Sequence, residues 1–233
     1  MDVIAYHGYD CQFNCTDERE KYDLIAKLAA KHPDRPFWMT EICYAYNGDD
    51  PNCTSAATLK YCVDYPPNAS LAPPLPRRDF ADGATWGHRI VREMQAGASG
   101  WIYWNLLLDT HGGPFNLSPS HGDPTGNYQH PVIVVDPASS DFHPTGLFYF
   151  LAHFSRFVRP GSVRLGTREL AIPDGVSAVA FAAEPVVEAA KKNATVLQLV
   201  NRGDTEERVA VCSGGHVAEV VLPAVSITTA QWE

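Results

Sequence analysis

The sequence has 233 residues, a formal charge of −9 and an apolar share of 45%. That length allows one large or two small cores, and the composition is that of a soluble globular chain, not a disordered one. Clustered Lys and Arg are missing, with Arg77-Arg78 the longest basic run, which argues against a nucleic-acid partner, and no apolar stretch is long enough to cross a bilayer.

The first hundred residues alternate strand and helix signals. Val3 to Tyr9 is apolar and β-prone, ending on His7 and Tyr9. Asp17, with Glu20 three residues on, has the form of a capping box, and the helix that follows carries Leu24, Ile25, Leu28 and Ala29 on one face until His32-Pro33 stops it. Pro36 to Glu41 reads as a second strand, its unbroken apolar run predicting burial on both faces. The segment from Asn47 to Pro76 is rich in Gly, Asp and Pro and reads as a loop. A second helix has Trp86, Ile90, Val91 and Met94 at helical spacing and Gly97 near its end, with Glu93 expected to face solvent. Gly100 to Asn105 is a third strand, and Pro144 to Phe157 a third helix. This order implies parallel strands joined by right-handed crossovers. Three such strands cannot close a barrel and would leave two bare edges.

From Arg159 the pattern changes. Ser162–Leu165, Ala178–Ala182, Val196–Val200, Arg208–Cys212 and Ala218–Leu222 are short β-prone runs divided by Gly, Pro and Asn, the spacing of a small β-sandwich. The expected division is therefore residues 1–158 and 159–233.

Five glycosylation sequons begin at Asn14, Asn52, Asn68, Asn116 and Asn193, where chance would give about one. The first two have Cys in the middle position, which makes a poor acceptor. Met1-Asp2 runs directly into a strand with no leader, so the excess points to a secreted or lysosomal protein whose targeting segment lies upstream. Six cysteines (Cys11, Cys15, Cys43, Cys53, Cys62 and Cys212) suit an oxidising compartment. They allow fifteen pairings, of which Cys53 with Cys62 closes a short ring and is preferred, and Cys11 with Cys15 is a further candidate. No Cys or His spacing suits a metal, and no cofactor is implied.

In a parallel α/β barrel the working residues sit at the C-terminal ends of strands. Here those ends carry His7 and Tyr9, then Glu41, then Trp104 and Asn105. Aromatic faces stack on pyranose rings, and a carboxylate can attack an anomeric carbon. Taken singly, each residue also admits a plain packing or ion-pair role, and Trp38 and Trp101 are read as packing.

Whole phrases narrow the choice. Phe37-Trp38-Met39-Thr40-Glu41-Ile42-Cys43 resembles the strand-seven nucleophile motif of glycoside hydrolase family 30, the glucosylceramidase family. Gly100 to Asp109 with Gly112-Gly113-Pro114, Pro131 to Asp136, Phe148 to Phe157, Pro160 to Arg164 and Leu222 to Thr229 continue the resemblance in order, with a gap at Asn47–Pro76. The resemblance implies the C-terminal part of a (β/α)8 TIM barrel, about strands six to eight, followed by a β-sandwich. It implies hydrolysis of a β-glucoside of a sphingolipid with retention, with peripheral contact at a membrane surface. Glu41 matches the nucleophile, His7 and Tyr9 the residues bordering it, Trp104 the wall of the sugar subsite and Asn127 a sugar-binding asparagine.

Two departures stand out. Family members carry Trp where this chain has Gly8, which predicts a thinner wall on the aglycone side. The acid/base glutamate of an Asn-Glu motif has no counterpart, since the chain contains no Asn-Glu dipeptide, and retention needs a second carboxyl about 5–5.5 Å from the first. The chain therefore reads as a partial sequence. Xylanase and β-1,6-glucanase activities within the same family, or a non-catalytic carbohydrate- or lipid-binding role, are the alternatives.

Overall fold

Three short parallel strands open the computed structural model, which describes residues 2–8, 18–42, 45–46, 80–109, 128–129, 131–168, 171–183 and 194–233. β1 (Ile4–His7) and β4 (Ala98–Trp101) flank β2 (Phe37–Glu41), and both pairings are parallel. Helix α1 (Glu18–Lys31) joins β1 to β2, and α2 (Phe80–Ala96) leads into β4. A two-residue strand β3 (Ala45–Tyr46) pairs with β6 (Tyr128–Gln129). Asp17, Tyr9, Asn127, the asparagines of the five sequons, the Asn47–Pro76 loop and every cysteine except Cys212 fall outside the described residues. Cys212 is exposed and unbridged.

The helices cover one face of this sheet. Phe37 and Met39 of β2 are buried on that side, where Met39 and Ile42 pack with Trp86 of α2. Burying an indole of this size stabilises by on the order of 5 kcal/mol. The other face of β2 is open: Trp38 is 40% exposed. Burial of β2 on both faces is thus corrected to simple alternation, because among the described residues nothing covers the second face. A similar correction applies to α1. Its inward stripe is Lys21, Ile25 and half-buried Ala29, at four-residue steps, while Leu24 and Leu28 are exposed.

A second small sheet carries the chain onward, with β5 (Leu107–Asp109) parallel to β7 (Ile133–Asp136) and β8 (Asp141–Pro144) antiparallel to β7. Helix α3 (Gly146–Phe157) then packs on α2. The remaining strands are β9 (Val163–Arg164), β10 (Val176–Ala183), β11 (Ala194–Asn201), β12 (Glu207–Ser213), β13 (His216–Leu222) and β14 (Ser226–Trp232). They form an antiparallel sheet in the order β14-β11-β10-β9 and a separate hairpin, β12-β13. The hairpin turns through Gly214 and Gly215, whose φ values of 57° and 81° suit the two-residue turn that matches strand twist. One core lies inside the sandwich, around Leu197, Leu199 and Leu222. Another joins the two halves, where Ala84, Val91 and Phe150 of α2 and α3 meet Val179, Phe181 and Val200.

Candidate active site

Alternation along β2 places Phe37 and Met39 toward the helices, and an unbroken strand would send Glu41 the same way. The register prevents this. Tyr6 pairs with Met39 but His7 pairs with Glu41, so Thr40 is an extra residue on β2. A bulge re-aims the residues beyond it, here turning the Glu41 side chain to the open face. The Thr40 hydroxyl donates to the Tyr6 carbonyl at 3.2 Å, which pins the extra residue in place.

On that face Glu41 meets His7, whose Nε2 lies 3.7 Å from Glu41 Oε2. Both side chains are partly solvated, so this contact contributes well under 1 kcal/mol and serves mainly to orient the carboxylate. The backbone around them is held tightly. The Gly8 amide donates to the Glu41 carbonyl at 2.8 Å, the Ile102 amide to Met39 at 2.9 Å and the Trp104 amide to Ile42 at 3.0 Å. Glu41 therefore sits between the end of β1 and the extended chain beyond β4.

That extended chain alternates. Trp101 and Tyr103 turn inward onto Trp86, the Tyr103 ring edge-on to the indole with centroids 4.9 Å apart. Ile102, Trp104 and Leu106 are exposed, Trp104 at 44%, and the Trp104 amide is bonded to the residue that follows Glu41. The peptide bond between Trp104 and Asn105 is cis. Lower on the open face Trp38 lies flat on Gly100, where an added Cβ would come within 2.8 Å of the indole. The packing role read for Trp101 fits its contact with Trp86. Trp38, read the same way, belongs instead to the open face with Glu41, and the bulge that puts them together leaves no mark in composition.

Behind the site lies a buried charge cluster. Glu93 of α2 is 0% exposed, contrary to the expected solvent-facing position, and its Oε1 lies 2.8 Å from Nζ of Lys21. The contact is ionic more than a straight hydrogen bond. Lys21 also donates to the Gly8 carbonyl at 2.9 Å, and the Tyr6 hydroxyl donates to Glu93 Oε2 at 3.3 Å. Burial, and then the Glu93 charge, raise the Tyr6 phenol far above its ordinary range. Helical spacing alone put Glu93 outside, because α2 is covered on more than one side, by α1, α3, β4 and the sandwich. Of the residues singled out from sequence, Glu41 and His7 are in contact, and Trp104 is tied by its backbone amide to Ile42, next to Glu41 in the chain. Tyr9 and Asn127 lie outside the described residues.

Parallel barrel strands with their polar groups at the carboxyl ends, backed by a β-sandwich, define a barrel-and-sandwich glycoside hydrolase architecture. The chain belongs to glycosyl hydrolase family 30. The family's TIM-barrel domain matches residues 77–158 and its beta sandwich domain residues 161–230. Glu41 lies upstream of both matched segments.

A putative glucosylceramidase 2 of Caenorhabditis elegans is 38% identical over 162 residues, covering 70% of this chain and 24% of that protein. The lysosomal acid glucosylceramidase of Mus musculus is 26% identical over 151 residues, covering 64% and 26%. The chain thus spans about a quarter of the length of these relatives. Among solved structures, SrfJ from Salmonella typhimurium superposes with a TM-score of 0.67 at 23% identity, covering 98% of this chain and 40% of that one. An endo-β1,6-glucanase superposes at 0.65 with 18% identity and the same coverage. At these identities the structural likeness speaks for the fold.

Proposed function

We propose that the protein carrying this chain is a retaining β-glycosidase that cleaves the glucosidic bond of a glucosylated sphingolipid, with Glu41 as its nucleophile. The observation that carries this reading is the bulge in β2, which turns a strand-end carboxylate away from the helices to stand beside His7. Glu41 attacks the anomeric carbon as the bond to the lipid oxygen breaks, and a second carboxyl group protonates that oxygen. Water then attacks the glycosyl–Glu41 ester, losing its proton to the second carboxyl and releasing the sugar. The proton-donating carboxyl has no match by motif in this chain, and we assign it to another part of the complete protein. Residues 1–158 then supply barrel strands and residues 159–233 the sandwich. Exposed Ile102 and Leu106, flanking Trp104, supply apolar surface suited to a lipid aglycone at a membrane surface. Tyr9 and Asn127 are assigned to the same sugar subsite on the family resemblance. The abundance of sequons supports a secreted or lysosomal location.

The test uses the complete protein. A cyclophellitol-type epoxide or a fluorinated glucoside is expected to label Glu41, and Glu41→Gln to lower turnover by about three orders of magnitude or more with folding intact. Glu219→Gln, an exposed change on the β12–β13 hairpin, is the control and leaves turnover unchanged. Label on another carboxylate, or near-normal turnover by Glu41→Gln, refutes the assignment. Hydrolysis of xylan or β-1,6-glucan in place of the glucolipid keeps the nucleophile and overturns the substrate. Sugar binding without any turnover leaves only a binding module.

A further inference from the structure

The charge cluster behind the site grips β1 at two points. Tyr6 is held by its hydroxyl on Glu93, and Gly8 by its carbonyl on Lys21. Between them lies His7, which touches Glu41, and the Gly8 amide is itself bonded to the Glu41 carbonyl. Gly8 stands one residue beyond the last β1–β2 ladder pair, where regular strand pairing no longer fixes the chain. From the Lys21 ammonium to the Glu41 backbone there are two successive hydrogen bonds, of 2.9 and 2.8 Å.

We infer that Lys21, locked in place by Glu93, is a positioning residue that fixes the Glu41 carboxylate through the Gly8 backbone. This rests on the reading of Glu41 as nucleophile. Stability alone gives a poor account of the cluster. Withdrawing an ammonium and a carboxylate from water is costly, and apolar residues of similar volume commonly support a fold as well or better. An apolar pair at these positions cannot supply the donor to the Gly8 carbonyl. Lys21 is only 9% exposed, so its ammonium has few partners other than Glu93 and that carbonyl. A nucleophile displaced by a fraction of an ångström loses rate while the substrate still binds. The signature of positioning is therefore a fall in kcat with little change in KM.

The experiment compares the complete protein with a variant in which the whole cluster is apolar, Lys21→Met with Glu93→Leu and Tyr6→Phe. Changing the three together avoids leaving one charge buried alone. Melting temperature, kcat, KM and the rate of epoxide labelling at Glu41 are measured for each. The expected result is a folded variant with kcat lowered about 10- to 100-fold, KM within about threefold, and labelling slowed in proportion to kcat. A folded variant with kcat and labelling near those of the parent overturns the inference. If the triple change prevents folding, Lys21→Arg decides. It keeps the charge but cannot place a single donor in the same position, and kcat is expected to fall about threefold to tenfold. Unchanged kcat in that variant overturns the inference too. Failure of the parent protein to label at Glu41 is a separate outcome and removes the nucleophile reading itself.

Discussion

Gly8→Ala is a severe test of how the end of β1 meets β2. A Cβ on Gly8 would lie 2.5 Å from Ile42 Cδ1, 3.0 Å from Ile42 Cβ and 3.1 Å from Ile42 Cγ1. The first contact can be relieved by turning the tip of the side chain. The second cannot, because the Ile42 Cβ is fixed to the backbone. Relief requires the two strand ends to part by several tenths of an ångström, against the 2.8 Å bond from the Gly8 amide to Glu41. Overpacking of this kind destabilises by about 1–3 kcal/mol. Ile42 is 2% exposed, so Ile42→Ala alone costs about 2–5 kcal/mol through the cavity it leaves. Combined, Ile42→Ala removes the Cδ1 and Cγ1 contacts and keeps the one at Cβ, so the double variant should be more stable than the sum of the two by about 1 kcal/mol. Urea denaturation of the four proteins closes the cycle. Labelling at Glu41 should slow in Gly8→Ala and recover in part in the pair. Additive costs within about 0.5 kcal/mol, or a neutral Gly8→Ala, would refute the packing argument.

Other outcomes follow from features away from the nucleophile. His88 of α2, buried with its Nδ1 3.0 Å from Ser177 Oγ, has its pKa lowered to about 3 by burial first and then by Arg202, Arg92 and Arg89. The unfolded chain therefore takes up a proton that the native state refuses, so stability is full above pH 6.5 and declines as pH falls toward 3. At pH 5 the loss from this group is about 2 kcal/mol, and urea melts at pH 7 and 5 should show a smaller difference in His88→Gln; an unchanged difference contradicts the assignment. Expressed in full in a eukaryotic secretory host, the protein should carry glycans on Asn68, Asn116 and Asn193. Peptide mass spectrometry finding all three bare, in material recovered from cytosol, refutes the proposed location.

Much of the architecture was legible because its signals are local. Runs such as Phe37–Glu41 and Val196–Val200 are short, apolar and rich in aromatic or β-branched residues, which marks them as strands, and the helix over Trp86, Ile90 and Val91 announced itself by period. β14 went unlisted among the strands although Ile227, Thr228 and Thr229 are β-branched, because Ser226–Trp232 lacks a strict apolar alternation. The candidate site was legible at its carboxylate and at His7 beside it. Glu41 stands at a strand end that the order of elements makes functional. Which face it occupies depends on Thr40 being an extra residue, a matter of register between strands 34 residues apart in sequence. Glu93 was misplaced for a related reason. A carboxylate beside an arginine on a helix reads as solvent-facing until the helix is known to be covered on several sides.

That covering of α2 has a consequence for the protein as a mechanical object. On one flank the helix presents Glu93 to Lys21 and the support behind Glu41, and on another it gives His88 to Ser177 and Gln95 to the Ala178 carbonyl of the sandwich. A single helix is thus the axle that both halves share. A lesion at Val179 or Val200, far from any sugar, shifts the seat of that helix and with it the ground under Lys21, Gly8 and Glu41. Damage to the sandwich should therefore register as slowed labelling of Glu41 in protein that still folds, and labelling unaffected by such a lesion would show that the two halves do not share this axle.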